Sequence, residues 1–522
     1  MTPFLNRRDF LAASVALAAT TGLPRLASAQ GAPLTLSATK RTLDIDGRAA
    51  TVFGLVNGSG GSGLILEPGQ RFAATLTNAL EVATLIHWHG QIPPNLQDGV
   101  PGMPAPLLQP GETRSYDFAA NPGTHWMHSH VPLQEMALLA APLIVRSAAD
   151  VKADRQEVVM LLHDFSFKSP EAVMAEITGG TAMHGMAMGD TPRTDGAKTE
   201  GAKTDGAMSG MAMGKTGGAM SGMAMSGMAM SGTAMSGTAK ADDTMGGMAG
   251  MAMDLNDYDF DAYLTNDRTL SDPEVVKVEA GGRIRLRIIN GSAATVYWID
   301  TGAAEARLIA VDGHDVQPIA GTRFGLAMGQ RLDIEVDLSG AGAFPILALR
   351  EGAREQTGLI LATPGAKVPR LAALADAASP AFDTDLGQES ALRAANPLPT
   401  RPATNTPMLV LAGAMQPYVW TINGQTWATH QPVSAKTAER VEITFHNRSM
   451  MGHPMHLHGH AFQVVDTGRG RFAGALRDTV FVPPMGVVTV ALDAGEAAAW
   501  MLHCHHMPHL ATGMMTEFIV SA

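Results

Sequence analysis

The last turn of the chain reads HCHHMPHLATGMM (503–515) and holds the only cysteine among 522 residues, with a histidine on either side of it. A single cysteine cannot form an internal disulfide, so the thiol is inert, paired with another molecule, or chemically employed. Its neighbours point to employment. Cys504 shares this end of the chain with His453, His509 and Met514, and two imidazoles, a thiolate and a thioether are the ligand set of a blue copper electron-transfer site. His-x-His pairs also recur, as His87/His89, His128/His130, His456/His458 and His503/His505, with His460 extending the third. On a strand, both rings of such a pair point to one face, with Cα atoms about 7 Å apart. One pair is weak; four pairs together describe a metal cluster.

The elements that must position these residues repeat. Arg71-Phe-Ala-Ala-Thr-Leu-Thr-Asn78, Arg283-Ile-Arg-Leu-Arg-Ile-Ile-Asn290 and Arg440-Val-Glu-Ile-Thr-Phe-His-Asn447 each set Asn seven residues after Arg across a strand-like pattern. Asn57, Asn266 and Asn423 precede them by 21, 24 and 24 residues. A repeat this long marks duplicated domains. Short Val/Ile/Thr-rich runs between turn signals, with 56 Gly and 31 Pro, predict an all-β protein of three consecutive β-sandwich domains. These fall at 31–150, 155–365 and 405–522, with 366–404 as linker. His87 and His456 each lie nine residues after the repeat Asn, so His89 and His458 also correspond. The middle copy carries Ile299 and Thr301 there and is blank for metal. HSHVPLQEMALLAAPLIV superposes without gaps on HCHHMPHLATGMMTEFIV, matching Cys504, His509 and Met514 with Ser129, Gln134 and Leu139. His453 matches Thr84, so the first copy lacks the blue copper set. The flanking His503 and His505 belong to the cluster, and one tripeptide joins the two kinds of site.

HWHG, HWMHSH, HPMHLHGH and HCHHMPHLATGMM resemble the four motifs of the three-domain multicopper oxidases, which include laccases and bacterial cuprous oxidases. The resemblance covers essentially the whole mature chain and implies cupredoxin-like Greek-key domains and four copper ions. It implies type 1 copper on His453, Cys504 and His509 with Met514 axial, and type 2 copper on His87 and His456. His89, His128, His130, His458, His503 and His505 would hold the type 3 pair. His460 is expected to support this set by hydrogen bonding, while His125 and His506 stay unassigned. The implied chemistry is four one-electron oxidations coupled to reduction of dioxygen to two waters, with electrons passing from Cys504 through His503 and His505. Asp98, eleven residues after His87, matches an Asp that serves water at the type 2 copper in similar bacterial oxidases. Leu510 departs from the pattern: several relatives place a glutamate there for proton delivery.

Residues 181–253 hold 16 of the 33 methionines, in MSGMAM-like repeats spaced by Gly, Ser and Ala. Such composition cannot build a core, and thioethers favour Cu(I). Met211, Met213, Met223, Met225, Met228 and Met230 are therefore expected to recruit labile Cu(I), with Met451 as a station nearer the type 1 ligands. Residues 1–29, with Arg7-Arg8, an apolar stretch and Ala27-Ser28-Ala29, resemble a twin-arginine export signal. The expected product is a periplasmic monomer that contacts the export machinery and spans no membrane. A net charge of −12 argues against nucleic acid as a partner. Dioxygen and Cu(I) or phenolic donors are the expected substrates, in a cuprous oxidase serving copper tolerance. A laccase acting mainly on phenols is the alternative. A copper carrier would not need a dioxygen cluster.

Overall fold

A computed structural model describes residues 34–180 and 255–522. They form six sheets in three pairs. The first domain pairs two four-stranded sheets, and the second and third each pair a six-stranded with a five-stranded sheet. Each pair encloses its own apolar core.

The three Arg-to-Asn repeats are the same strand in each domain. Arg71–Asn78, Arg283–Asn290 and Arg440–Asn447 each run parallel to their domain's opening strand and antiparallel to a later one. Arg71–Asn78 alternates between solvent and core at every residue, the period that a half-buried strand requires. The terminal asparagines are fully buried and do one job three times. Each Nδ2 donates to one carbonyl of the following turn and one of a distant segment: Val82 and Leu108, Thr295 and Leu326, Met451 and Pro483. Each Oδ1 accepts from the backbone two residues on. A buried turn leaves orphan polar groups unless a side chain satisfies them, which explains a repeated Asn where apolar neighbours vary. The upstream trio is less uniform. Asn266 and Asn423 adopt positive φ and accept from Leu161 and Val410, whereas Asn57 closes a local turn onto Ser59 and Gly61.

The strands Ile86–His89 and His453–Leu457 are buried on both faces, because their sheets meet at the contact of the first and third domains. The segment 366–404 carries one short helix, Gly387–Ala391, and no strand. Its Leu392 enters the second core and its Leu386 the third. The strand Gln156–Phe165, which precedes the Met-rich insert in sequence, pairs antiparallel with Ala262–Thr265, which follows it. The insert methionines, Met211 to Met230, and the export signal lie outside the described residues. Among the described residues no helix is long and apolar enough to cross a membrane.

Candidate metal centres

The thiol site is built at the end of one sheet of the third domain. His453 opens the strand His453–Leu457, Cys504 closes Ala499–Cys504, and His509 lies on the short helix Met507–Ala511. Cys504 Sγ is 3.7 Å from Nδ1 of both His453 and His509, and these two nitrogens are 3.1 Å apart. Met514 is fully buried in the same core, and its carbonyl accepts from the Cys504 amide. His453 is oriented from outside by Ser449 Oγ, 2.8 Å from Nε2, and the Trp420 ring packs 4.0 Å from that of His509. Burial pushes the thiol of Cys504 up and both imidazoles down. An apolar pocket of this kind opposes a bare thiolate and a protonated imidazole alike, and suits a cation that takes all three lone pairs.

The other eight histidines converge between the first and third domains. His87 stands opposite His128 and His456 opposite His503 in their sheets, so the two domains present equivalent pairs. Three groups form. Nε2 of His87 and of His456 are 3.5 Å apart. Nε2 of His503 lies 3.1 Å from that of His458 and 3.4 Å from that of His130. The rings of His89, His128 and His505 form a third group with centroids 5.1 to 5.6 Å apart. His503 and His505, on either side of Cys504, thus enter different groups.

The outer nitrogens fix the tautomers. Nδ1 of His87, His456 and His503 donates to carbonyls of Asp98, Asp478 and Cys504 at 2.8, 2.9 and 3.0 Å. A carbonyl only accepts, so each Nε2 lone pair faces its group. His89 inverts the pattern, with Nε2 3.0 Å from Asp478 Oδ1 and a buried Nδ1 that has no protein partner among the described residues. His128 Nε2 and both nitrogens of His505 are likewise unpartnered. Buried polar atoms are rarely left unpaired, and eight imidazoles with converging lone pairs fit a copper cluster. His460 supports His458 by accepting from Gly495 and donating to the His458 carbonyl.

Asp98 and Asp478 are partners across this pseudo-symmetry. Each accepts through its backbone carbonyl from the first histidine of its own domain's pair. Each directs its carboxylate at the second histidine of the other domain's pair, Asp98 to His458 at 2.8 Å and Asp478 to His89. Gly99 allows the Asp98 turn: φ is +87° and a Cβ would lie 1.9 Å from the Ile86 carbonyl oxygen. Only Asp478 has a cation. Arg331, fully buried and contributed by the middle domain, binds both its oxygens at 2.7 and 2.5 Å. Burial would raise its pKa, but the guanidinium outweighs it and holds the carboxyl well below the usual range. Gly90 of HWHG makes room, since a Cβ there would lie 2.4 Å from both Arg331 and His125.

Sequence reasoning passed over Asp478, Arg331 and Glu135. Glu135 is buried, with Oε2 2.8 Å from His128 Nδ1 and Oε1 3.8 Å from His505 Nδ1. Burial and then the charge of Asp164 raise its pKa. Glu135 and Leu510 line one small cavity with His128, His130, His503 and His505. The gapless superposition of the two motifs sets Glu135 directly against Leu510, so the signal was present. Asp257 was also passed over: it faces Nε2 of both His506 and His509 at 3.5 Å.

Three sandwiches with a thiol site joined to a histidine cluster define a copper-dependent oxidase of cupredoxin-like domains. The multicopper oxidase family matches this chain in three successive stretches, residues 37–150, 228–363 and 399–522, and the chain belongs to that family. It is 28% identical to the multicopper oxidase MmcO of Mycobacterium tuberculosis, over 98% of this chain and 96% of that protein. It is 24% identical to copper resistance protein A of Escherichia coli, over 95% and 93%. The multicopper oxidase McoA of Aquifex aeolicus shares the fold, with a TM-score of 0.62 at 21% identity, covering 94% of this chain and 97% of that one. The family carries type 1, type 2 and type 3 copper and reduces dioxygen with electrons from a reducing substrate, and the buried histidine groups are consistent with those sites.

Proposed function

We propose that this oxidase takes its electrons from Cu(I), with phenols as secondary donors, and serves copper tolerance in the periplasm after twin-arginine export. The observation that carries the reading is the gathering of 16 methionines in one insert of the middle domain, because soft thioethers prefer Cu(I) to organic donors. The name of copper resistance protein A lends support. His453, Cys504, His509 and Met514 hold type 1 copper, and His87 and His456 hold type 2. His130, His458 and His503 hold one type 3 ion, and His89, His128 and His505 the other.

Bound copper supplies the one-electron redox chemistry and the place where dioxygen is reduced. The protein does the rest. Cys504 is bonded through its own backbone to His503 and His505, so an electron leaving the thiol site has a short covalent path to each type 3 group. Four Cu(I) are oxidised to Cu(II) while one dioxygen takes four electrons and four protons and leaves as two waters. Asp98, joined to a type 2 and a type 3 imidazole, is the carboxylate placed to hold a water there, and Asp478, neutralised by Arg331, orients His89 and His456.

The test compares Cu(I) and a phenol as donors for the intact protein and for one lacking 181–253. The half-saturating Cu(I) concentration should rise on deletion, with phenol turnover preserved or faster. Slower phenol turnover with untouched Cu(I) kinetics would reject the reading.

A further inference from the structure

His128, His130, His503 and His505 line a closed cavity with room for one ion, and each is 4% exposed or less. A metal site needs an entry path as well as ligands. Beside the start of the helix Pro170–Ile177 lies an open hollow of about 640 Å³. One segment, 131–138, walls both spaces. Pro132 lines the cavity and the hollow alike, Glu135 lines the cavity, and Gln134 and Met136 line the hollow. Gln134 fastens this wall. It stands where the third domain has His509, and its Oε1 accepts from Thr84 and Ser129 at 2.7 and 2.8 Å. Those two stand where that domain has His453 and Cys504, so hydrogen bonds close in the first domain what a metal would close in the third. Leu133 and Leu138, to either side of Gln134, have φ of +68° and +66°, a left-handed backbone that bulky side chains avoid. A brief opening of the wall relieves that strain.

Thioethers bridge the wall. Met136 is half-buried in the hollow and packs against an apolar cluster in which Met103, Met501, Met507 and Met515 are four of the seven buried members. Met507, from that cluster, lines the inner cavity. Packing alone favours Leu, Ile, Val and Phe, whose rotamers are better defined. Nor are these methionines a legacy of the duplication. Met136, Met501, Met507 and Met515 superpose on Ala511, Trp126, Pro132 and Ala140, so each copy places a thioether where the other has none.

We propose that Met136 and Met507 are the stations of a loading route by which Cu(I) enters the type 3 groups from the open hollow. This rests on His128, His130, His503 and His505 holding type 3 copper, and it is independent of which donor the oxidase uses. Thioethers are soft, neutral ligands that prefer Cu(I) to Cu(II). One or two of them hold the ion less firmly than the three imidazoles of a type 3 group, so transfer from hollow to cavity runs downhill. Only metal–ligand bonds are made and broken, and no electron moves. The Nε2 lone pair of His503 already faces its group, so no proton has to leave that ring.

The test loads the copper-free full-length protein with Cu(I) in the absence of air. Samples are quenched with a Cu(I) chelator at intervals and then oxidised. Type 1 copper is read from the blue absorption, and type 3 copper from metal analysis with paramagnetic resonance. The double variant Met136→Leu/Met507→Leu should fill its type 3 groups about tenfold more slowly than the wild type, or about 1.4 kcal/mol on the barrier. Its blue site should fill at the wild-type rate, and loading from Cu(II) should be indifferent to the substitution. Leucine conserves volume, and equal melting midpoints of the copper-free proteins report intact packing. The single variant Met136→Leu, at the half-buried station, should show the same selective delay. Met408→Leu, at an exposed methionine outside the cluster, should load like the wild type. Type 3 filling at the wild-type rate in both station variants overturns the route. An equal slowing of Cu(I) and Cu(II), or of both kinds of site, also overturns it and marks the methionines as packing only. A wild type that takes up no type 3 copper overturns the ligand assignment, and the route with it.

Discussion

Glu135 offers the sharpest test of how the type 3 ligands are held. Its Oε2 meets the outer nitrogen of His128 at 2.8 Å and its Oε1 faces that of His505 at 3.8 Å, so one carboxyl stands between an imidazole of the first domain and one of the third. Partners that orient metal-bound histidines are worth about 10–100-fold in affinity. Glu135→Leu should therefore lower type 3 copper affinity by about one to two orders of magnitude and leave the blue band intact. Glu135→Gln, which still accepts through its amide oxygen, should fall between the two. The assay is copper stoichiometry after dialysis against a graded chelator, with paramagnetic resonance to detect type 3 ions that have lost their mutual coupling. Because Leu510 lines the same cavity at the matching place, Glu135→Leu/Leu510→Glu should recover much of the loss. Unchanged type 3 occupancy in Glu135→Leu, or damage confined to the blue site, would refute the argument.

Cys504→Ser should abolish the blue absorption and oxidase activity while the histidine cluster still binds copper, which optical and resonance spectra would check together. Replacing His87 or His456 should deplete type 2 copper and spare the blue signal; a disturbed type 1 resonance with intact type 2 would reverse the division of ligands. Arg331→Met should leave Asp478 buried and unpaired, costing about 3–5 kcal/mol, measured as a lower denaturation midpoint of the copper-free protein. Burial raises the Glu351 carboxyl to about 7. The folded state then favours the neutral form, and stability falls as pH rises from about 4.5 through 7. Glu351→Gln should flatten that decline, recovering about 3 kcal/mol at pH 8 at 1.36 kcal/mol per pKa unit, read from copper-free melts at pH 5 and 8.

The copper-ligand candidates were legible because copper needs particular donor atoms at fixed spacing, and the internal repeat supplied the register that a single His-x-His lacks. The three sandwiches followed from Asn residues that each satisfy a buried turn. What the sequence obscured were contacts made across domains. Asp478 lies 389 residues from His89, and Arg331 reaches it from a domain with no matched ligands. No local pattern announces a guanidinium that is buried only because another domain's carboxylate awaits it. Glu135 is a different case. The resemblance marked Leu510 as a departure, the internal superposition sets Glu135 against it, and the missing carboxyl stands on the other side of the pseudo-symmetry.

His130 and His503 are 373 residues apart in sequence and meet nitrogen to nitrogen. A metal ion bonded to both is a cross-link in the polymer sense, closing a loop that takes in the rest of the first domain, all of the second and most of the third. By the chain-entropy relation for cross-links, one such closure removes about 6 kcal/mol of freedom from the unfolded chain. Copper would then act on this molecule as a clasp as well as a reagent. Without it, three sandwiches that each hold their own core can melt one after another. With it, the first domain cannot part from the third unless the bond is surrendered, so calorimetry should show separate transitions merging into one as the cluster fills.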